Sequence, residues 1–267
     1  MDFSRIAPIV LLLTLTTGCG GESVATATRT PAEAVAEQAG VVKISERVRL
    51  DFGETVNIAE YSESRTAGVL RLGAAASDLT TVHLRTDLTE DLKAVVPASQ
   101  TTRVISVGDS GSYVQGADKV WLHYGSPTCR VLTSLDARAV LSPKVLQILA
   151  APAPSSGEVI DSVPTVEYAG NAPQTEFGIP DTGNDPAAAD QVREHYGAIE
   201  VSWQLWVGPD QLPRRARLTT VNPEPEDGMP GTITTEIDFT GWGSDVSIKP
   251  PPKKQVQEAG GCPGEAG

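Results

Sequence analysis

Val201-Ser202-Trp203-Gln204-Leu205-Trp206-Val207-Gly208-Pro209-Asp210-Gln211-Leu212-Pro213-Arg214-Arg215 is the stretch whose reading decides the fold. Val201, Trp203, Leu205 and Val207 recur at every second position, so an extended segment here carries one apolar face. Gly208-Pro209-Asp210 is turn chemistry. Ile199–Val207 and Arg214–Val221 therefore read as neighbouring antiparallel strands, and Thr232–Phe239 follows as a third after the turn Pro223–Gly231.

Upstream the same period appears again. Val48, Leu50 and Phe52 alternate with Arg47, Arg49 and Asp51, and Val56 and Ile58 continue the pattern. Further strands are expected at Ala67–Leu72, Thr80–Arg85, Thr101–Val107, Ser112–Val114 and Lys119–Tyr124. The loops Gly108-Asp109-Ser110-Gly111 and Gln115-Gly116-Ala117-Asp118 join neighbours into a meander. Asp245–Lys249 is read as a last strand before Pro250-Pro251-Pro252.

Helical signals are fewer. Thr30-Pro31-Ala32-Glu33 is a capping box with Pro at the first helical position, and Val35, Ala39 and Val42 predict a helix over 31–44. Ser142-Pro143 starts a second, with Val145, Leu146 and Leu149 on one face. Asp185-Pro186 starts a third over 187–196. With no strand–helix–strand alternation, a parallel nucleotide-binding sheet is disfavoured. The expected fold class is α+β: a single curled antiparallel sheet, an open half-barrel, with helices covering its concave side.

At the N-terminus Met1–Arg5 precedes the apolar run Ile6–Leu15 and then Thr16-Thr17-Gly18-Cys19. These ten residues, apolar except for Thr14, make about 15 Å of helix, half of a ~30 Å hydrocarbon core. The layout is that of a secretory signal peptide over 1–18. Residues 19–29 are small and polar and read as a flexible tether. The domain proper is expected over 30–252, with a disordered tail over 253–267. The net charge of −13 repels phosphate backbones, which excludes nucleic-acid binding.

A Cys after a small residue at the signal cleavage point resembles a bacterial lipobox, with Cys19 as the lipid attachment site. Thr16 stands where family lipoboxes usually have Leu. The wider chain resembles the actinobacterial LppX/LprG lipoproteins and their relative, the lipoprotein carrier LolA. The resemblance rests on the Val201–Arg215 hairpin and on Thr232–Phe239 with Gly241-Trp242-Gly243 and Val246–Pro251. Ser112-Tyr113-Val114 with Asp118-Lys119-Val120-Trp121-Leu122-His123-Tyr124 completes it. These pieces span much of Ala32–Pro252, while 157–184 fits poorly.

The resemblance implies an acyl-binding hollow lined by one face of each strand, with Val120, Leu122, Val201, Trp203 and Leu205 as ligand-contact candidates. Each of these residues by itself reads first as core, and Trp121 competes with Val120, Leu122 and Tyr124 for the apolar face of its hairpin. The implied protein is an anchored extracytoplasmic lipoprotein of the cell membrane that binds or carries a lipid, glycolipid or acylated protein. The alternative is a lipid-free envelope interaction or sensory module.

No catalytic set is expected. Gly108-Asp109-Ser110-Gly111-Ser112 resembles a serine-protease nucleophile loop, but His83, His123 and His195 lack the matching context, and the motif is also an ideal hairpin loop. Asp181, Asn184 and Asp185 have the wrong spacing for calcium. Arg214, Arg215 and Arg217 read as a solvated strand face or as a headgroup contact. In an exported chain Cys129 and Cys262 are a disulfide candidate. Neither metal nor cofactor is expected.

Overall fold

The structure, a computed structural model, describes residues 29–38, 40–51, 61–73, 76–86, 99–115, 118–125, 137–177, 190, 194, 196–222 and 231–259. Strands are β1 (Val41–Asp51), β2 (Tyr61–Arg71), β3 (Ala76–Thr86), β4 (Ser99–Ser106), β5 (Ser112–Gln115) and β6 (Trp121–Tyr124). They continue as β7 (Ser155–Ile160), β8 (Val163–Pro173), β9 (Glu200–Val207), β10 (Pro213–Asn222), β11 (Gly231–Ser244) and β12 (Val256–Glu258). Four short helices have described bounds: α1 (Pro31–Ala36), α2 (Ala137–Val140), α3 (Pro143–Leu149) and α4 (Gln174–Phe177).

All twelve strands join one sheet in the order β12-β6-β5-β4-β3-β2-β1-β11-β10-β9-β8-β7. Two meanders, β1 to β6 and β7 to β11, meet where β1 pairs antiparallel with β11 from Val41 to Asp51. Tight connections join β2 to β3, β4 to β5, β5 to β6, β7 to β8 and β9 to β10, and such connections favour antiparallel neighbours. Between β7 and β8, Asp161 and Ser162 both take positive φ, 48° and 65°, which closes a two-residue hairpin. The single parallel pairing among the described residues is β12 with β6.

The expected α+β half-barrel with helices covering its concave side is corrected. The architecture is mostly β, and the described helices, only four to seven residues long, do not cover the sheet, which is open as expected. Their apolar side chains gather over one half of the sheet. Val35 of α1, Val140 of α2, Leu146 and Leu149 of α3 and Phe177 of α4 pack with Val42, Ile44, Leu70, Val201, Trp203, Leu205, Leu218, Ile237 and Phe239. No residue of β4, β5 or β6 belongs to that cluster.

The physical reason lies in strand length. The helix predicted over 31–44 stops at Ala36, because Val41–Asp51 hydrogen-bonds to β2 on one side and β11 on the other. Two full ladders outweigh two further helical turns. The Thr30 cap itself is as read: its hydroxyl accepts from Glu33 N at 3.3 Å and its N–H donates to the Glu33 carboxylate at 2.7 Å. That carboxyl is held below its ordinary value by the Thr30 backbone and hydroxyl.

At the other end, Asp245–Lys249 is not a strand. It begins a strap that crosses to the far edge of the sheet, where Lys253–Gln255 forms a 3-10 turn and Val256–Glu258 becomes β12. Residues 253–258, expected in the tail, thus form a 3-10 turn and a strand of the sheet, while 260–267 lie outside the described residues. So do 1–28, most of the helix expected over 187–196, and Asp181, Asn184 and Asp185. Among the described residues no helix is long and apolar enough to cross a membrane.

Candidate functional site

Strand register sorts every side chain onto one of two faces. The helix-bearing face of β2 to β5 carries many small residues beside the larger Leu70, Leu79 and His83. Ser64, Thr66 and Gly68 alternate on β2, with Leu79 and Thr81 opposite them on β3, then Thr102 and Val104 on β4, then Val114 on β5. Gly68 admits nothing larger, since a Cβ there would stand 2.0 Å from the Asp78 carbonyl oxygen.

Across this face runs one apolar row. Leu79 lies opposite Val104, Val104 opposite Val114, and Val114 opposite Leu122 of β6. At ~4.8 Å per strand the row spans about 14 Å. All four side chains are half-buried, and Val104, Val114 and Leu122 stand outside the helix-covered core.

Hydroxyl rows border it on both sides. Thr66, Thr81 and Thr102 form one, and the Thr66 and Thr81 hydroxyls share a hydrogen bond at 2.9 Å. Ser77, Ser106, Ser112 and Tyr124 form the other, with Ser106 and Ser112 bonded at 2.9 Å. The result is an apolar stripe between hydroxyl rims, a furrow of polarity rather than of depth.

Of the ligand-contact residues expected from the sequence, only Leu122 lies on this floor. Val201, Trp203 and Leu205 are 0 %, 6 % and 0 % exposed and fill the helix-covered core. The Trp203 indole N–H donates to the Leu149 carbonyl at 3.1 Å, and its ring meets Phe177 edge-on at 5.7 Å. Val120 sits in the β5–β6 turn, its N–H bonded to Asp118 at 3.0 Å. Trp121 points to the opposite face, beneath the Arg103 guanidinium at 5.7 Å. Cys19, Cys129 and Cys262 lie outside the described residues.

The small-residue strands were the missed signal. Ser, Thr and Gly at alternate positions of a long strand leave space that a close-packed core does not leave.

The opposite face is ionic. Arg217 binds Glu236 at 2.6 Å and 3.0 Å, and Arg47 reaches the same carboxylate at 3.3 Å. Arg215 bridges Asp238 at 2.7 Å and Glu158 at 2.9 Å, and Arg214 pairs with Asp210. Arg214, Arg215 and Arg217 are therefore engaged within the chain. The Arg214 Nε is buried and has no partner among the described residues.

Also on this face, the strap residues Ser247, Lys249, Pro250, Pro251, Pro252 and Gln255 wall a cleft of about 400 Å³ over Asp78, Arg103, Ile105, Gln115 and Trp121. Arg103 forks onto Asp78 at 2.9 Å and 2.7 Å.

Gly108–Ser110 is a 3-10 turn between β4 and β5, the hairpin loop read from the sequence. It brings Ser110 to His123, but through the backbone: the His123 Nε2 stands 2.8 Å from the Ser110 carbonyl oxygen. The other ring nitrogen, Nδ1, faces both oxygens of Glu258 at 2.9 Å and 3.1 Å. Both ring nitrogens thus meet acceptors, the arrangement of a cationic clamp rather than of a base awaiting a proton. Among the described residues no group of His, Cys, Asp and Glu is placed to hold a metal.

Comparison of the chain with models of known protein families returns no match, and comparison with curated proteins returns none either.

Proposed function

We propose that this chain is an extracytoplasmic lipoprotein, anchored to the cell membrane through Cys19, that receives the acyl chain of a lipid, glycolipid or acylated protein in the furrow of β3 to β6. The observation that carries this reading is the row Leu79–Val104–Val114–Leu122 between two rows of hydroxyls, which starts where Leu79 packs against the helix-covered core and runs out beyond it through Val104, Val114 and Leu122. An apolar floor suits methylenes, and hydroxyl rims suit the ester or amide at the head of an acyl chain.

Magnitudes set the expected strength. Ten methylenes contribute about 8 kcal/mol if fully sheltered and about half of that if one side stays wet. The corresponding Kd lies between about 1 μM and about 1 mM, the range of a carrier that exchanges its cargo. Two acyl chains on Cys19 anchor far more firmly than one, and residues 20–29 would keep the furrow near the bilayer.

The test is lipid transfer. A Cys19→Ser chain, free of attached lipid, is mixed with vesicles containing a self-quenched fluorescent acyl lipid and with unlabelled acceptor vesicles. Accelerated dequenching supports the reading, and a rate equal to that of vesicles alone refutes it. The second reading, a lipid-free envelope interaction module, draws on Val201, Trp203 and Leu205, which fill a core instead of lining a hollow. It predicts no transfer.

A further inference from the structure

We propose that His123 is a pH-operated latch that fastens the C-terminal strap to the edge of the sheet. The strap leaves β11, is held near its root by Arg71, whose Nη2 donates to the Val246 carbonyl at 2.8 Å, and ends in β12. β12 is a slight attachment: three residues in parallel register with Trp121, Leu122 and His123, plus the Ala259 N–H donating to the His123 carbonyl at 2.9 Å. Parallel pairing so short contributes little by itself. The His123 side chain adds what the ladder lacks, since Nδ1 reaches Glu258 on β12 while Nε2 reaches Ser110 on the β4–β5 turn.

Only the imidazolium can donate to both. A neutral ring has one N–H and one lone pair, so one acceptor oxygen must then face a lone pair. The ring is also held in place by Tyr113, stacked on it at 4.5 Å and 18°. The groups that face it are the Glu258 carboxylate from β12, the Tyr113 phenol from β5 and the Ser110 carbonyl from the turn. His83 projects from the other face of the sheet.

The Ser110 carbonyl raises the His123 pKa above 6.5, burial opposes it, and the Glu258 hydrogen bond and charge add to the rise. A raised folded value means that the latch is fully closed below about 6.5 and loosens as pH rises through the folded value. Because the strap also walls the cleft over Arg103 and Trp121, loosening opens that cleft and bares the edge of β6.

Hydrogen exchange of the full chain, corrected for intrinsic rates, tests the latch at pH 5.5 and pH 8.5. The segment 256–259 is expected to exchange about threefold or more slower at the lower pH, with β1 and β11 unchanged. In His123→Gln the segment is expected to exchange fast at both values. Equal protection of the wild-type segment at the two pH values overturns the proposal, as does an unchanged pH dependence in His123→Gln. An NMR titration keeps it falsifiable should that variant not fold. His123 must titrate above 6.5 and fall in Glu258→Gln; a wild-type value at or below 6.5 overturns it.

Discussion

The indole of Trp203 lies flat against Gly170 on the neighbouring strand, so close that a Cβ at position 170 would stand 2.6 Å from its Cζ2. The ring cannot retreat, because Phe177 meets its face edge and the Leu149 carbonyl holds its N–H. Gly170→Val is therefore expected to cost about 1–3 kcal/mol through overpacking. A thermal melt should show a fall in Tm of about 2–4 °C per kcal/mol. A wild-type melt from this variant would mean that the Trp203 pocket is slack.

Leu149 closes the same core from α3 and is fully buried. Leu149→Ala removes three carbons and leaves a void under β9, which predicts a loss of about 2–5 kcal/mol in urea unfolding. The m-value should be unchanged, since the surface exposed on unfolding stays the same.

Glu236 is the hub of the ionic face. Burial pushes its carboxyl up, but the hydrogen bond and charge of Arg217, with the charges of Arg215 and Arg47, outweigh that and hold it below its ordinary value of 4.5. A depressed folded value gives stability that is present at neutral pH and lost as pH falls below 4.5 through the folded value. Glu236→Gln should cost roughly 1 kcal/mol at pH 7. Chemical denaturation at pH 7 and pH 3 should show the gap between wild type and variant shrinking in acid; a constant gap contradicts the assignment.

These residues also show what the sequence could and could not convey. The alternation Val201, Trp203, Leu205, Val207 identifies β9 and its inward face without error, and Ser142-Pro143 places the start of α3. Period-two patterning is local, so it survives translation into structure. What covers a face is not local. Trp203 reads first as core and, through the family resemblance, also as a ligand contact, until α3 and α4 are seen against it. The floor residues Val104 and Val114 looked unremarkable because the space above them comes from Ser and Thr on neighbouring strands, set by registers that no single strand encodes. β12 was invisible for a related reason: three residues after Pro250-Pro251-Pro252 carry no periodic signal, and their partner β6 lies 132 or more residues upstream, an interaction chosen by Glu258 and His123 rather than by pattern.

The furrow itself meets its most direct test in a titration of a fluorescent sixteen-carbon fatty acid. The ligand is added to the Cys19→Ser chain and to the same chain carrying Val104→Asp and Val114→Asp. Val104 and Val114 face each other and are half-buried, so the paired charges also cost stability, and the titration is run at a temperature at which melting curves show both chains folded. Saturable binding with a Kd between about 1 μM and 1 mM is predicted for the first chain, weakened about tenfold or more in the second. Binding of equal strength to both chains, or to neither, would contradict the account.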